Sequence, residues 1–164
     1  MTLLAVFALT VVVDLTVAVE VGLVVACLTF IYRISSLSRC EPVDPGANAA
    51  LARAGDGVQA FRLFGALFFG AVKLVEDIAL RLPSRVLVLD MKNLIYVDST
   101  GMDALFDLTR RCDDAQVRLI VCGLAHQPQE IAVRSGWMAM LQNTDRFPDL
   151  ASALAALDAT APSG

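Results

Sequence analysis

The feature that most constrains this chain is an apolar run from Leu3 to Tyr32, LLAVFALTVVVDLTVAVEVGLVVACLTFIY, interrupted only by Asp14 and Glu20. No basic stretch precedes it, and it exceeds the apolar core of a signal peptide, about 7 to 15 residues. A membrane-spanning helix needs about 20 residues, so the run is too long for one upright span and too short for two full ones. Either one long tilted helix or two shorter helical pieces would accommodate it. An acidic residue at mid-membrane costs about 2.5 to 3.5 kcal/mol, and a break that puts Asp14 near an interface avoids much of that. The expectation is therefore a membrane segment over residues 1–33, broken near Asp14. Asp14 and Glu20 read either as packing or headgroup contacts or as part of a transport path. Arg33 and Arg39 follow the run while nothing basic precedes it, which places the downstream portion in the cytoplasm.

That run also explains the composition. A mean hydropathy of +0.65 and a hydrophobic content of 57% average two different objects, because the chain beyond residue 33 has the mixture of an ordinary globular sequence. Residues 34–57 are rich in Ser, Pro, Gly and Asp and read as a linker, with a short helical turn over Ala49 to Arg53. A strand is expected over Val58 to Phe64, then a helix with Val72, Val75, Ile78, Ala79 and Leu82 on one face, ended by Pro83. Val86 to Leu89 and Val117 to Cys122 are short apolar runs fit for strands buried on both faces. Pro128 opens a short helix that Gly136 closes, and a last helix follows Pro148 before a frayed tail over 159–164. Strands alternating with helices imply an α/β domain with a largely parallel sheet over 58–158.

A net charge of −4 without a basic cluster argues against a nucleic-acid partner. Cys27, Cys40, Cys112 and Cys122 show no paired spacing and read as reduced, packed thiols rather than a disulfide framework or a metal site.

The candidate site is Asp98-Ser99-Thr100-Gly101, between the Val86 strand and a helix with Met102, Leu105, Phe106 and Thr109 at helical spacing. Small hydroxyl residues at a helix start leave backbone N–H groups accessible to an anion. A phosphate on Ser99 or Thr100 would sit there, or would alter what docks on that surface. The same residues have a purely structural reading, because Thr100 and Asp103 match a capping box. Asp103 near the helix start, with Arg110 and Arg111 near its end, complements the helix dipole. Ser99 and His126 would share one rim of the sheet, but there is no GxSxG elbow and His126 lies in a loop, so no catalytic residue is assigned. Trp137 reads as a packing or docking aromatic.

VLVLDMKNLIYVDSTGMDALFDL, preceded by FRLFGALFFGAVKL, resembles the STAS domain, in the version attached to the sulfate-permease (SulP)-type anion transporters. LTVVVDLTVAVEVGLVVACLTFIYR resembles the last membrane segments of those transporters. The resemblance implies a STAS-like α/β domain, its sheet largely parallel or mixed and flanked by helices, behind a transmembrane helical segment in a bacterial inner membrane. It implies a regulatory, protein-interacting and non-enzymatic role with no cofactor, and a chain that does not transport alone, because earlier membrane helices build the family's substrate site. The implied partners are the rest of the transporter core or a second protomer, a regulatory protein or nucleotide at the rim of Asp98, Gly101 and Asp103, and membrane lipid. In anti-sigma-factor antagonists of this family the residue at the position of Ser99 is a phosphorylated switch, which leaves a membrane-tethered signalling module as the alternative. No strand is evident before Val58, so one edge of the family's sheet is expected to be missing or irregular.

Overall fold

In the computed structural model, which describes residues 2–35, 38–141 and 145–160, the chain divides into two units, Met1–Ser36 and Leu37–Gly164. The first is one α-helix, α1 (Thr2–Ser35), 34 residues long. The expected break near Asp14 is absent. No proline lies in the helix and its one glycine is Gly22, so nothing near Asp14 removes a backbone hydrogen bond or relaxes the chain. The consecutive Leu23, Val24 and Val25 are 64%, 57% and 56% exposed, so the apolar surface runs round the helix instead of forming one stripe. Counting only the described residues, no helix is long and apolar enough to cross a membrane; within α1 the side chains of residues 2–6, 8–10, 12–15, 18, 34 and 35 lie outside the description.

The second unit begins earlier than its composition implies. Residues 34–57 are not a linker throughout: they contain β1 (Arg39–Pro42) and α2 (Ala49–Ala54). β1 pairs antiparallel with β2 (Val58–Leu67), Arg39 opposite Phe64 and Pro42 opposite Phe61. It supplies the sheet edge expected to be missing. Its charged residues and proline suit an edge strand, where solvent faces one side and no apolar alternation is needed. Asn48 starts α2 by accepting hydrogen bonds from the N–H groups of Ala50 and Leu51 at 3.1 and 3.3 Å.

β3 (Val86–Val97), β4 (Arg118–Cys122) and β5 (Arg146–Phe147) complete a five-stranded sheet ordered β1-β2-β3-β4-β5. All pairs but the first are parallel, so the sheet is mixed. A 3-10 turn over Phe69–Ala71 leads into α3 (Val72–Ala79). α4 (Ser99–Asp114), α5 (His126–Arg134), α6 (Trp137–Met140) and α7 (Leu150–Thr160) follow in turn. α7 takes in the first two residues of the expected tail, and residues 161–164 lie outside the described residues.

β3 shows why both sheet faces are covered. Leu87, Leu89 and Met91 join the core beneath α3 to α6, whereas Val86 and Val88 join the core beneath α2 and α7. Successive side chains of a strand point to opposite faces, so an unbroken apolar run requires helices on both. The buried polar residues Asp90, Thr109 and Asp145 are each hydrogen-bonded. Trp137, fully buried, donates from Nε1 to Thr109 Oγ1 at 2.8 Å, and that hydroxyl donates to the Leu105 carbonyl at 2.8 Å. Trp137 is thus a packing residue. Asp90 holds Arg62 at 2.8 Å and Asp145 holds Arg118 at 2.6 Å. At the start of α7, Asp149 accepts a 2.7 Å hydrogen bond from the Ser152 N–H, the main cause holding its carboxyl below the usual range.

Candidate functional site

The strand that carries the site is longer than its apolar run. β3 continues through Asp90-Met91-Lys92-Asn93 to Val97 by staying paired with β2, Leu67 lying opposite Val97. Two irregularities in the pairing, between Arg62 and Phe64 and between Gly65 and Ala66, let extra β3 residues enter the ladder. Ile95 falls at the second and is 74% exposed.

The helix behind the strand is capped by Asp98, not by Thr100. Asp98 has extended backbone, and its Oδ1 accepts from the Gly101 N–H at 2.7 Å. Its own N–H donates to the Leu67 carbonyl at 3.1 Å, tying the cap to the end of β2. Gly101 is buried against that same carbonyl: a Cβ there would overlap the Leu67 C=O. Close approach of two backbones is what requires glycine here. Ser99, the first residue of α4, is exposed, and Thr100 is half-buried. Asp103 is exposed, one turn further along the helix.

The remaining anchor comes from α5. The Gln127 side-chain amide brackets Val97, Nε2 donating to the Val97 carbonyl at 2.8 Å and Oε1 accepting from the Val97 N–H at 3.0 Å. β4 has ended at Cys122, so the side chain completes pairing where no neighbouring strand does. The preceding His126 has φ +52°, an uncommon conformation for a residue with a side chain.

These elements enclose an open groove of about 630 Å³ between α4, α5 and the end of β3. Asp98 lines it from the cap of α4, Ser99 and Asp103 from α4 itself, Tyr96 from β3, and Gln127 and Arg134 from α5. Thr100 lines a different groove, about 360 Å³, between α3 and α4. Asp103 borders both. Of the sequence candidates, Asp98, Ser99 and Asp103 are therefore brought together, Thr100 is turned away and Gly101 lies beneath. His126 is the first residue of α5 rather than part of a loop, and it does not line the groove that holds Ser99. The Asp14 side chain lies outside the described residues, and Glu20 is exposed on α1.

Tyr96, Gln127 and Arg134 are among the groove residues that sequence reasoning missed. A glutamine before a proline carries no signal of its own, and its role depends on the end of β3 being unpaired. The thiols are free: Cys112 and Cys122 are buried, Cys40 is half-buried and Cys27 is exposed, against the expectation of a packed residue. Burial pushes the Cys112 thiol up to about 11 and the Cys122 thiol up to about 12, so neither is a nucleophile at neutral pH. Among the described residues no cluster of His, Cys, Asp and Glu could hold a metal ion.

Residues 49–153 match the STAS domain family. The candidate sulfate transporter YvdB of Bacillus subtilis is 31% identical over 138 residues, which cover 82% of this chain and 26% of that protein. The chain thus spans about a quarter of the curated relative's length. Among solved structures, the murine anion transporter Slc26a9 in its inward-facing state superposes with a TM-score of 0.67 at 19% identity, over 86% of this chain and 25% of that one. An anti-sigma factor antagonist from Mycobacterium paratuberculosis superposes with a TM-score of 0.56 at 15% identity, over 73% of this chain and 93% of that one.

Proposed function

The chain belongs to the STAS domain family, and from that premise we propose that it is the C-terminal part of a SulP-type anion transporter. In this reading α1 is the final membrane helix and residues 37–164 are its cytoplasmic regulatory domain. The observation that carries the reading is the reach of the YvdB alignment. It covers 82% of the chain, more than the 128 residues of the second unit within 164, and so continues into α1. The exposed apolar surface all round α1 supports a lipid or protein environment for it. Arg33 and Arg39, on the downstream side alone, support a cytoplasmic domain.

The role is regulatory and non-enzymatic, exercised by contact with the transporter core, a second protomer or a regulatory protein or nucleotide at the Asp98–Asp103 rim. Transport itself would draw on the earlier membrane helices that the resemblance to SulP-type transporters implies, and this chain spans 26% of YvdB. Co-expression with such a membrane core, followed by sulfate uptake measured with and without this chain, tests the reading. Uptake indifferent to the chain would sink it.

One observation favours a second reading. Ser99 is exposed at the first position of α4 and borders an open groove, accessible to a kinase, in a fold shared with an anti-sigma factor antagonist. There a membrane-tethered module would be switched by phosphorylation of Ser99, since added charge beside Asp98 and Asp103 repels any acidic partner. A Ser99→Ala chain with unchanged phosphate incorporation and partner binding would remove this reading.

A further inference from the structure

The groove between α4 and α5 carries two features that the Asp98 cap leaves unused. The first is the shape of its walls. Met102 and Phe106 stand at i, i+4 on α4, and Gln127, Ile131 and Ser135 repeat that spacing along α5 and its C-cap. Rows of this kind are the ridges of a helix surface, and the channel between two of them takes the ridge of a third helix. Phe106 and Ile131 are only half-buried and Tyr96, at the end of β3, is 50% exposed, so the channel keeps an apolar lining open to solvent. The second feature is charge. Asp98, Asp103 and Arg134 are the charged side chains that line the groove. Asp98 is engaged by the Gly101 N–H at 2.7 Å. Asp103 and Arg134 are exposed on opposite walls, and neither forms an ion pair, with the other or with any described residue. The other charged side chains of α4 and α5, Asp107, Arg110, Arg111, Asp113, Asp114 and Glu130, do not line it.

We propose that this groove seats an amphipathic α-helix of a protein partner. Its apolar stripe lies against Phe106, Ile131 and Tyr96, a lysine or arginine meets Asp103, and a glutamate or aspartate meets Arg134. The inference rests on the reading of the Asp98–Asp103 rim as a regulatory contact, and narrows that contact to a helix. A nucleotide suits the groove less, because its phosphates would face two carboxylates against one guanidinium. Burial of the apolar stripe supplies the affinity, and the two opposite charges at the margins decide which helices are accepted.

The test uses the full chain in micelles of dodecyl maltoside, an uncharged detergent. Three synthetic helices share one apolar stripe with a benzophenone at its centre and differ only in the flanking pair: Lys and Glu, two Glu, or two Lys. Irradiation and tandem mass spectrometry read where each probe attaches and in what yield. Each probe is compared across chains, so its own partition into micelles cancels. The Lys/Glu probe is expected to label the parent chain within residues 96–106 and 127–135. Asp103→Lys should raise labelling by the Glu/Glu probe about fivefold over the parent, and Arg134→Glu should do the same for the Lys/Lys probe, each losing the Lys/Glu probe in turn. Thermal melts check folding; a variant that melts early is replaced by Asp103→Asn or Arg134→Gln, which should lower labelling by the Lys/Glu probe. No labelling, labelling within residues 72–80 of the neighbouring groove, or yields indifferent to both substitutions would overturn the helix site. None of these steps needs a transporter core. Sulfate uptake indifferent to the chain, beside the expected labelling, therefore removes the transporter reading alone, and the opposite pair of results removes the helix site alone.

Discussion

Helix α1 and strand β3 use nearly the same vocabulary and meet opposite ends. Val86, Leu87, Val88 and Leu89 are 6% exposed or less, whereas Val21, Leu23, Val24 and Val25 are all more than half exposed. The β3 side chains are removed from water by helices on both sheet faces, each contributing about 1.5 to 3 kcal/mol on full burial. Those of α1 have no such cover from their own unit, a single helix. The contrast teaches that an apolar run states a need for burial without stating what satisfies it. For β3 the domain does so; for α1, on our reading, the bilayer does.

The two glycines provide the sharpest way to break this comparison. A Cβ at Gly101 overlaps the Leu67 backbone, while one at Gly22 meets nothing within 4 Å. Gly101→Val is expected to cost more than the roughly 1 to 3 kcal/mol typical of overpacking, because a carbonyl rather than a mobile side chain must move. Denaturant unfolding of the micelle-bound chain measures it. Gly22→Ala should leave the same transition in place, and equal effects at both positions would end the distinction. Next in size, Leu89→Ala removes a fully buried side chain and should destabilise the domain by about 2 to 5 kcal/mol. Leu23→Ala should not move the domain's unfolding midpoint, though it should weaken vesicle association. Asp98→Ala, losing the cap on α4, is expected to cost about 0.5 to 2 kcal/mol and to speed amide exchange at Gly101.

The smallest effect concerns the buried thiols. Cys122 is held to about 12 by burial, then by Asp90 and Asp149, against an ordinary value of 9.0. Its raised value means that the unfolded thiol ionises first, so stability is fully present below pH 9 and falls as pH rises towards 12. Cys122→Ala should flatten that alkaline fall relative to the parent chain in thermal melts at a series of pH values. A parallel fall in both proteins would show that the thiol contributes nothing.

Much of the domain was legible because its signals are local. The Val86 and Val117 runs act through near neighbours and strands formed over both, whereas α3 ended at Ala79, before the expected Leu82 and Pro83, and α5 ended at Arg134, two residues before Gly136. β1 was not legible, because RCEP has no apolar alternation and becomes a strand only when Phe61 and Phe64 of β2 lie beside it. The extension of β3 past Asp90 was hidden likewise, since a polar stretch was held in the ladder by pairing rather than by propensity. At the site, the helix start was readable to within one residue. The choice of Asp98 over Thr100 as its cap depended on the hydrogen bond from Asp98 to Leu67, a contact between distant parts of the chain.

By itself, then, the sequence determined that residues 1–33 would form an apolar helical segment, in one piece or two, that an α/β domain would follow, and that Asp98 to Gly101 would turn a buried strand into a helix. These outcomes follow from hydropathy, periodicity and turn chemistry, which act over a few residues. Only the tertiary structure decided that the glycine is there to admit the Leu67 carbonyl, that Gln127 closes the end of β3, and that Ser99 and Thr100 face different grooves. Each of those depends on which backbone lies against which, and that is set by the packing of the whole sheet.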